Sequence, residues 1–151
     1  MIIIKEEDIL NFTKGTIVHQ VNCFTMGSGV ARVLFDKYHI IKTKHDAFVL
    51  YCKTNNISPL GLAQFVIVNP DLTIVNLFGQ FNYGNDGIRY TNYIAFAHAF
   101  SDILMKCQTD IAIPYNIASD KGGADWRRIY GIIETLSLDY PHTIYIYRKD
   151  V

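Results

Sequence analysis

The chain has 151 residues, a length that fits one domain, and we expect a single domain over residues 1–151. Half of the residues are hydrophobic and 19 % are charged, which predicts a filled globular core and argues against disorder. The 14 basic and 14 acidic residues cancel. The absence of a basic excess argues against nucleic acid as a partner, although a local basic patch can hide within a neutral total.

The cysteines and the apolar segments indicate which metal sites, which cellular location and which membrane segments to expect. Cys23, Cys52 and Cys107 are widely separated and form no Cys-x-x-Cys pair, so we expect no metal site and no cofactor. The odd number of cysteines and the absence of a signal peptide favour reduced thiols and a cytoplasmic location. No apolar stretch approaches the roughly 20 residues that a membrane-spanning helix needs.

Hydrophobic periodicity predicts alternating strands and helices along the chain. In chain order the predicted elements are a strand at Met1–Lys5, a strand at Thr16–Val21, a helix carrying Val30, Val33, Leu34 and Tyr38, a helix at Thr43–Thr54, strands at Ala63–Val68 and Thr73–Phe78, a helix capped by Thr91 or Asn92 with Phe96, Phe100, Ile103, Leu104 and Cys107 on its apolar stripe, a strand at Asp110–Pro114, a helix carrying Ile129, Ile132, Ile133 and Leu136, and a strand at Thr143–Tyr147. This alternation predicts an α/β fold with a mostly parallel sheet between helices.

The first segment with a chemical signature is residues 19–31 (HQVNCFTMGSGVA), which leads from a strand into a helix. Glycines at positions 27 and 29 allow the backbone to approach a ligand closely, and the unpaired N–H groups at a helix start favour phosphate. The segment is neither a GxGxxG fingerprint nor a Walker A loop. A plain strand-to-helix connection explains the glycines equally well, Asn22 also fits a turn, and His19 also fits a core histidine.

The second such segment is residues 113–126 (IPYNIASDKGGADW), again a strand, a loop of small residues and a helix. Gly122 and Gly123 give the loop conformational freedom, and Asp125 is a predicted N-cap for the helix that Trp126 opens. Ligands of α/β sheets bind beyond the carboxyl ends of the strands, so the two loops predict one cleft with two sets of backbone donors. The alternative is an ordinary capped connection.

In this order and at this spacing, the segments resemble the macrodomain family over nearly the whole chain. The matching segments are Glu7-Asp8-Ile9, Val21-Asn22, residues 26–31, residues 76–80 with Tyr83-Gly84, residues 89–93, Ile113-Pro114-Tyr115 and residues 122–126. The most similar branch contains small stand-alone ADP-ribose 1''-phosphate phosphatases and terminal ADP-ribose glycohydrolases, often from bacteria and phages. The resemblance implies a three-layer α/β/α sandwich with a mixed, mostly parallel central sheet and a cleft for ADP-ribose, free or attached to a macromolecule.

The resemblance also implies roles for residues of that cleft. Asp8, beside the Ile9 backbone, would accept a hydrogen bond from the adenine amine, and Asn22 would contact the distal ribose. Phe81 or Tyr83 would cover that ribose. The two loops would hold the diphosphate. The implied ligand-binding residues are Asp8, Ile9, Gln20, Val21, Asn22, Met26, Gly27, Ser28, Gly29, Val30, Ala31, Gln80, Phe81, Tyr83, Ile117, Ala118, Ser119, Asp120, Lys121, Gly122 and Gly123.

The chain departs from the family pattern at three places. Ala118-Ser119-Asp120 stands where many relatives have Gly-Cys-Gly, and Asp120 is expected to tolerate the left-handed turn there. Gln80 and Gly122 stand where the glycohydrolases have a catalytic lysine and aspartate. A covalent lysine mechanism is therefore not expected.

Two hypotheses of function follow. The first is a hydrolase acting at the distal ribose, in which Asn22 orients the substrate or water and His19 or Asp120 is the general base. The second is a non-catalytic module that only binds ADP-ribose. The single-domain form favours the hydrolase, whereas the missing lysine and aspartate favour the binding module.

Overall fold

A computed structural model describes residues 1–149, so the last two residues of the expected domain lie outside the described residues. The described part contains six strands and four α-helices, together with a single 3-10 turn at Ile9–Asn11. In chain order these are β1 (Ile2–Lys5), β2 (Gly15–Val21), α1 (Gly29–Lys37), α2 (Ile40–Thr54), β3 (Ala63–Asn69), β4 (Leu72–Phe78), α3 (Tyr93–Lys106), β5 (Ile111–Pro114), α4 (Trp126–Leu136) and β6 (Ile144–Tyr147). None of these helices is long and apolar enough to cross a membrane.

The strands form one sheet in the order β1-β6-β5-β2-β4-β3. Every neighbouring pair is parallel except β3 with β4, which a short turn joins as an antiparallel hairpin. One core cluster packs Phe100 of α3 and Ile133 of α4 against the sheet, and a second packs Leu34 of α1 and Ile41 of α2. The fold is therefore a three-layer α/β/α sandwich with a mixed, mostly parallel sheet, as the sequence predicts.

Some predicted boundaries are wrong by a few residues, and packing explains the largest differences. Helix α2 begins at Ile40, three residues before the predicted start, because Ile41 is fully buried in the core. The cap of α3 is Asn92, whose Oδ1 accepts a hydrogen bond from the N–H of Ala95 at 3.0 Å. Cys107 lies one residue beyond α3 rather than on its apolar stripe.

The topology brings three chain segments to the same edge of the sheet. Strands β2 and β4 run side by side and end together, with Val21 paired to Phe78, and β5 flanks β2 on the other side. The loops that follow parallel strands emerge at their carboxyl ends. The first loop (residues 22–28), the segment after β4 and the second loop (residues 115–125) are therefore neighbours.

Candidate functional site

A cavity of about 810 Å³ opens at this edge of the sheet, between the first and second loops. Its volume is within the usual range for a small-molecule site. The sequence-predicted residues that line it are His19, Gln20, Val21, Asn22, Met26, Gly27, Ser28, Gly29, Val30, Ala31, Gln80, Tyr83, Ile117, Ala118, Asp120, Lys121 and Gly122. The structure thus brings most of the predicted ligand-binding set around one space, which we call the cleft.

Other predicted residues lie elsewhere, and some lining residues are new. Phe81, Ser119 and Gly123 do not line the cleft. The residues that the sequence analysis did not assign are Thr25, Gly84, Asn85, Pro114, Tyr115 and Asn116. Several of them lie inside the two segments already singled out. The loop motifs therefore predicted where the cleft is, although they did not predict each side chain that lines it.

The start of α1 forms one wall of the cleft and offers unpaired backbone donors. Ser28 occupies the N-cap position, but its side chain makes no capping hydrogen bond. The N–H groups of the first helical turn have no partner inside a helix, and here no side chain takes their place. Gly29 has φ of +62°, a left-handed geometry that glycine adopts without strain. This end of the helix therefore suits an anion.

Asn22, the first residue after β2, holds the first loop in shape with its own side chain. Its Oδ1 accepts hydrogen bonds from the N–H groups of Phe24 and Thr25, each at 2.8 Å. These two bonds fix the amide orientation, since only the oxygen can accept. The Nδ2 group has no partner among the described residues. Asn22 therefore presents a free NH₂ donor at the cleft.

The second loop contains two non-glycine residues with left-handed backbone, Asn116 at φ +63° and Ala118 at φ +64°. The expected left-handed turn thus falls at Ala118, not at Asp120 as the sequence analysis predicted. The Ala118 carbonyl is held from two sides, by the Thr91 hydroxyl at 2.8 Å and by the N–H of Ala124 at 3.0 Å. Such contacts offset the strain of an uncommon conformation.

Gly122 joins the second loop to the segment after β4. Its carbonyl accepts hydrogen bonds from the N–H groups of Tyr90 and Thr91, both at 2.9 Å. A Cβ atom at this position would lie 2.5 Å from the Ala118 carbonyl oxygen and 2.5 Å from Thr91 Oγ1. Only glycine fits this close approach, so the loop is locked where it faces the cleft.

Beneath the cleft, Gln20, Gln80 and Thr91 form a directed chain of hydrogen bonds, which we call the glutamine network. Gln20 Nε2 donates to Gln80 Oε1 at 2.8 Å and to Thr91 Oγ1 at 2.9 Å. Gln80 Nε2 donates to the Asn82 carbonyl at 2.9 Å. Both the oxygen and the nitrogen of the Gln80 side-chain amide are engaged. Gln80 thus has a structural role. It stands at the position where the glycohydrolases are expected to have their catalytic lysine.

The His19 side chain lies on the face of β2 opposite to the side chain of Gln20 and is only 1 % exposed. Asn76 Nδ2 donates to the Ile41 carbonyl and to Gln64 Oε1, so Asn76 Oδ1 must accept from His19 Nε2 at 2.7 Å. Burial lowers the pKa of His19 to about 4. The ring is therefore neutral near pH 7, and its buried Nδ1 has no partner within residues 1–149. Such a nitrogen is an acceptor but a weak base.

Asp120 and His19 both line the cleft, but Asp120 is exposed whereas His19 is buried. Its backbone carbonyl accepts the N–H of Gly123 at 3.1 Å. No ion pair of its carboxylate is found in the described part of the chain. Of the two candidate bases, Asp120 is the one with solvent access.

Asp8 and Ile9 line a second cavity of about 270 Å³ beside the cleft. Val30, Pro114 and Tyr115 contribute to both spaces, so the two cavities are adjacent along the sheet edge. Asp8 Oδ1 accepts the N–H of Leu10 at 3.0 Å, and this hydrogen bond is the main reason that the pKa of Asp8 is lowered. The carboxylate is therefore ionised and acts as an acceptor.

Three aromatic side chains form an exposed rim beside the cleft. Phe24 and Phe81 pack edge to face with ring centroids 5.0 Å apart, and Tyr83 lies 6.5 Å from Phe24. Tyr83 lines the cleft, whereas Phe81 supports Phe24. In residues 1–149 no group of three or more His, Cys, Asp or Glu side chains is placed to hold a metal ion.

Comparison with known proteins places this geometry in a fold class. No protein-family model matches the sequence, and neither does any curated protein. Among solved structures, the macrodomain protein from Streptomyces coelicolor superposes with a TM-score of 0.79 at 20 % identity, covering 97 % of this chain and 98 % of that one. The macrodomain of Mycobacterium tuberculosis DarG superposes at 0.76 with 19 % identity, covering 100 % and 99 %.

The chain has the macrodomain fold. A third structure with this fold, Thermosipho africanus DarTG in complex with ADP-ribose, superposes at a TM-score of 0.72 with 15 % identity. The match covers 95 % of this chain and 40 % of that one. The macrodomain fold implied by the resemblance of the sequence is thus confirmed.

Proposed function

We propose that the chain binds ADP-ribose or a derivative of it in the cleft and hydrolyses a bond at the distal ribose. The observation that carries the proposal is the pair of glycine-containing loops facing one cavity of about 810 Å³. The uncapped start of α1 supplies N–H groups from one side, and the backbone around Ala118 to Gly122 supplies the other wall. Two anionic phosphates between these walls would be stabilised by both.

The second cavity and Asn22 give the ligand its direction in this proposal. The adenine would occupy the cavity beside Asp8, whose ionised carboxylate accepts a hydrogen bond from the exocyclic amine. The distal ribose would then lie at the opposite end of the cleft, near the free NH₂ of Asn22. The Tyr83 ring lines the same region and would cover the sugar.

In the proposed reaction, water displaces a leaving group from the distal ribose and ADP-ribose is released. The leaving group is inorganic phosphate when the substrate is ADP-ribose 1''-phosphate, or the unmodified macromolecule when the substrate is an ADP-ribosyl ester. Asn22 Nδ2 donates a hydrogen bond to the substrate or to the water. Asp120 is better placed than His19 to take the proton, because it is exposed at the cleft while burial makes His19 a weak base. Rigid positioning by the two loops supplies much of the rate.

One observation favours a second function, that of a non-catalytic ADP-ribose-binding module. Gln80 is fully engaged in the glutamine network, and Gly122 has no side chain to act as an acid or base. Neither residue replaces the lysine and aspartate expected in the glycohydrolase branch. The same fold with these two changes would bind its ligand without turnover.

Calorimetric titration followed by a turnover assay tests both functions. We expect ADP-ribose to bind and adenosine to bind far more weakly, because adenosine lacks the diphosphate. We then expect ADP-ribose 1''-phosphate or an ADP-ribosyl ester to be hydrolysed. Tight binding without turnover would favour the binding module, and equal binding of the two ligands would contradict a diphosphate site.

Three variants test the assigned roles. Asn22→Ala should lower turnover far more than it weakens product binding, because its donor acts most strongly in the transition state. Asp120→Ala should lower turnover about 10²–10⁴-fold if Asp120 is the general base. His19→Gln retains a donor for Asn76 and should leave turnover largely intact. Wild-type rates in all three variants would exclude these residues from catalysis.

A further inference from the structure

A second buried histidine, His45 on α2, contacts the first loop from beneath. Its side chain is 0 % exposed, although α2 contributes no residue to the wall of the cleft. The ring lies parallel to that of Phe78, with centroids 5.3 Å apart and an interplanar angle of 11°. Its Nε2 lies 2.9 Å from the backbone carbonyl oxygen of Asn22. A buried polar ring in this position requires an explanation beyond packing.

The direction of that hydrogen bond is fixed by chemistry. A carbonyl oxygen only accepts, so His45 Nε2 carries the proton and donates to Asn22. The Asn22 side chain is held separately by Phe24 and Thr25. Asn22 is therefore held at two points, and His45 is the one that ties its backbone to a helix in the core.

The other ring nitrogen faces a carboxylate. His45 Nδ1 lies 3.0 Å from Asp46 Oδ1, and Lys42 Nζ lies 2.6 Å from Asp46 Oδ2. Burial by itself would raise the pKa of Asp46, but the hydrogen bonds from Lys42 and His45 hold it below its usual value. Both His45 bonds form together only when both ring nitrogens carry a proton.

We infer that His45 is a positioning residue that acts through Asn22, by holding the backbone carbonyl so that the free NH₂ of Asn22 faces the cleft. The inference rests on the proposed function for the identity of the ligand. The contact between His45 and Asn22 does not depend on that function.

Two substitutions separate the donor from the packing. His45→Gln keeps an N–H donor that reaches the Asn22 carbonyl but loses the stacked ring. His45→Phe keeps a ring against Phe78 but has no donor. If His45 acts by donating, ADP-ribose affinity should fall about 5- to 10-fold in His45→Phe and stay near wild type in His45→Gln. The reverse order would show that the ring serves only packing.

A double-mutant cycle tests whether the effect passes through Asn22. The loss caused by His45→Phe should largely disappear when Asn22→Ala is already present, because the positioned side chain is then absent. An equal loss in both backgrounds would overturn the inference. If His45→Phe does not fold, His45→Leu, which also lacks a donor, replaces it in the same cycle. An equal loss in both backgrounds would again overturn the inference.

A measurement without ligand keeps this test separate from the proposed function. Hydrogen exchange of the Phe24 and Thr25 N–H groups reports on the hold that Asn22 has on the loop. We expect faster exchange in His45→Phe and wild-type exchange in His45→Gln. If the wild type binds no ADP-ribose, the proposed function fails while this exchange result still tests His45. Unchanged exchange in His45→Phe would overturn the inference alone.

Discussion

Gln20 Nε2 lies 2.8 Å from Gln80 Oε1, and this bond joins the end of β2 to the segment after β4 beneath the cleft. The two residues are 60 positions apart in the chain. Because Gln20 also donates a hydrogen bond to Thr91, the glutamine network extends towards the second loop. The floor of the cleft is thus set by side-chain hydrogen bonds, which connect the three segments that form its walls.

The first prediction concerns this network. Gln80→Leu should lower the free energy of unfolding by about 1–3 kcal/mol, because Gln80 is buried and its loss leaves polar groups around it unsatisfied. Gln108→Leu is the matched control, since Gln108 is exposed. Urea denaturation of both variants gives the comparison. Equal stability of the two would show that the network contributes nothing.

The second prediction concerns the close approach at Gly122. Gly122→Ala should weaken ADP-ribose binding more than 10-fold, because the new Cβ would displace the Ala118 carbonyl and Thr91. Gly131→Ala is the control, because a Cβ in this part of α4 meets nothing within 4 Å. That change should stabilise the helix by about 0.5–1 kcal/mol and leave binding intact. Unaltered binding in Gly122→Ala would contradict a locked second loop.

The third prediction concerns pH. Burial lowers the pKa of His19 in the folded chain to about 4, below its ordinary value of 6.5. The unfolded chain therefore binds more protons, and stability falls as the pH drops from 6.5 towards 4, by about 3 kcal/mol at most. His19→Gln should flatten this part of the profile, whereas the exposed control His39→Gln should not. A profile that keeps its slope in His19→Gln would contradict a lowered pKa of His19 in the folded chain.

The fourth prediction concerns thiol reactivity. Burial raises the pKa of Cys23 to about 12 and also raises the pKa of Cys52. Burial acts the same way on Cys107, but hydrogen bonds to neighbouring hydroxyls lower its pKa overall. Iodoacetamide at neutral pH should therefore alkylate Cys107 first, as mass spectrometry of peptides would show. Earlier labelling of Cys23 would mean that the first loop opens in solution.

Much of the fold could be predicted because its signals are local. Alternating apolar periods gave the strands and helices, and the glycine loops marked the carboxyl edge of the sheet. The cap of α4 by Asp125 follows from sequence position, and the structure confirms it, with Oδ1 accepting the N–H of Arg127 at 3.0 Å. Such features depend on residues within a few positions of one another.

The rest depends on contacts between distant residues, which no spacing rule reveals. His45 stands on an ordinary helix, and only the packing of α2 brings it 2.9 Å from Asn22. The left-handed turn fell at Ala118 because Thr91, 27 positions earlier, holds its carbonyl. Residue type alone favoured Asp120 for that turn, so the tertiary contact overrode the local preference.

The central claim is that both loops contact the ligand diphosphate, and amide NMR of the ¹⁵N-labelled chain tests it most directly. On titration with ADP-ribose, the N–H signals of Gly29 and Gly122 should shift together, because one group lies in each wall. Adenosine should move them far less. The signals of Gly15 and Gly131, outside the cleft, are internal controls and should stay in place. Shifts at only one loop, or equal shifts with adenosine, would contradict the two-loop site.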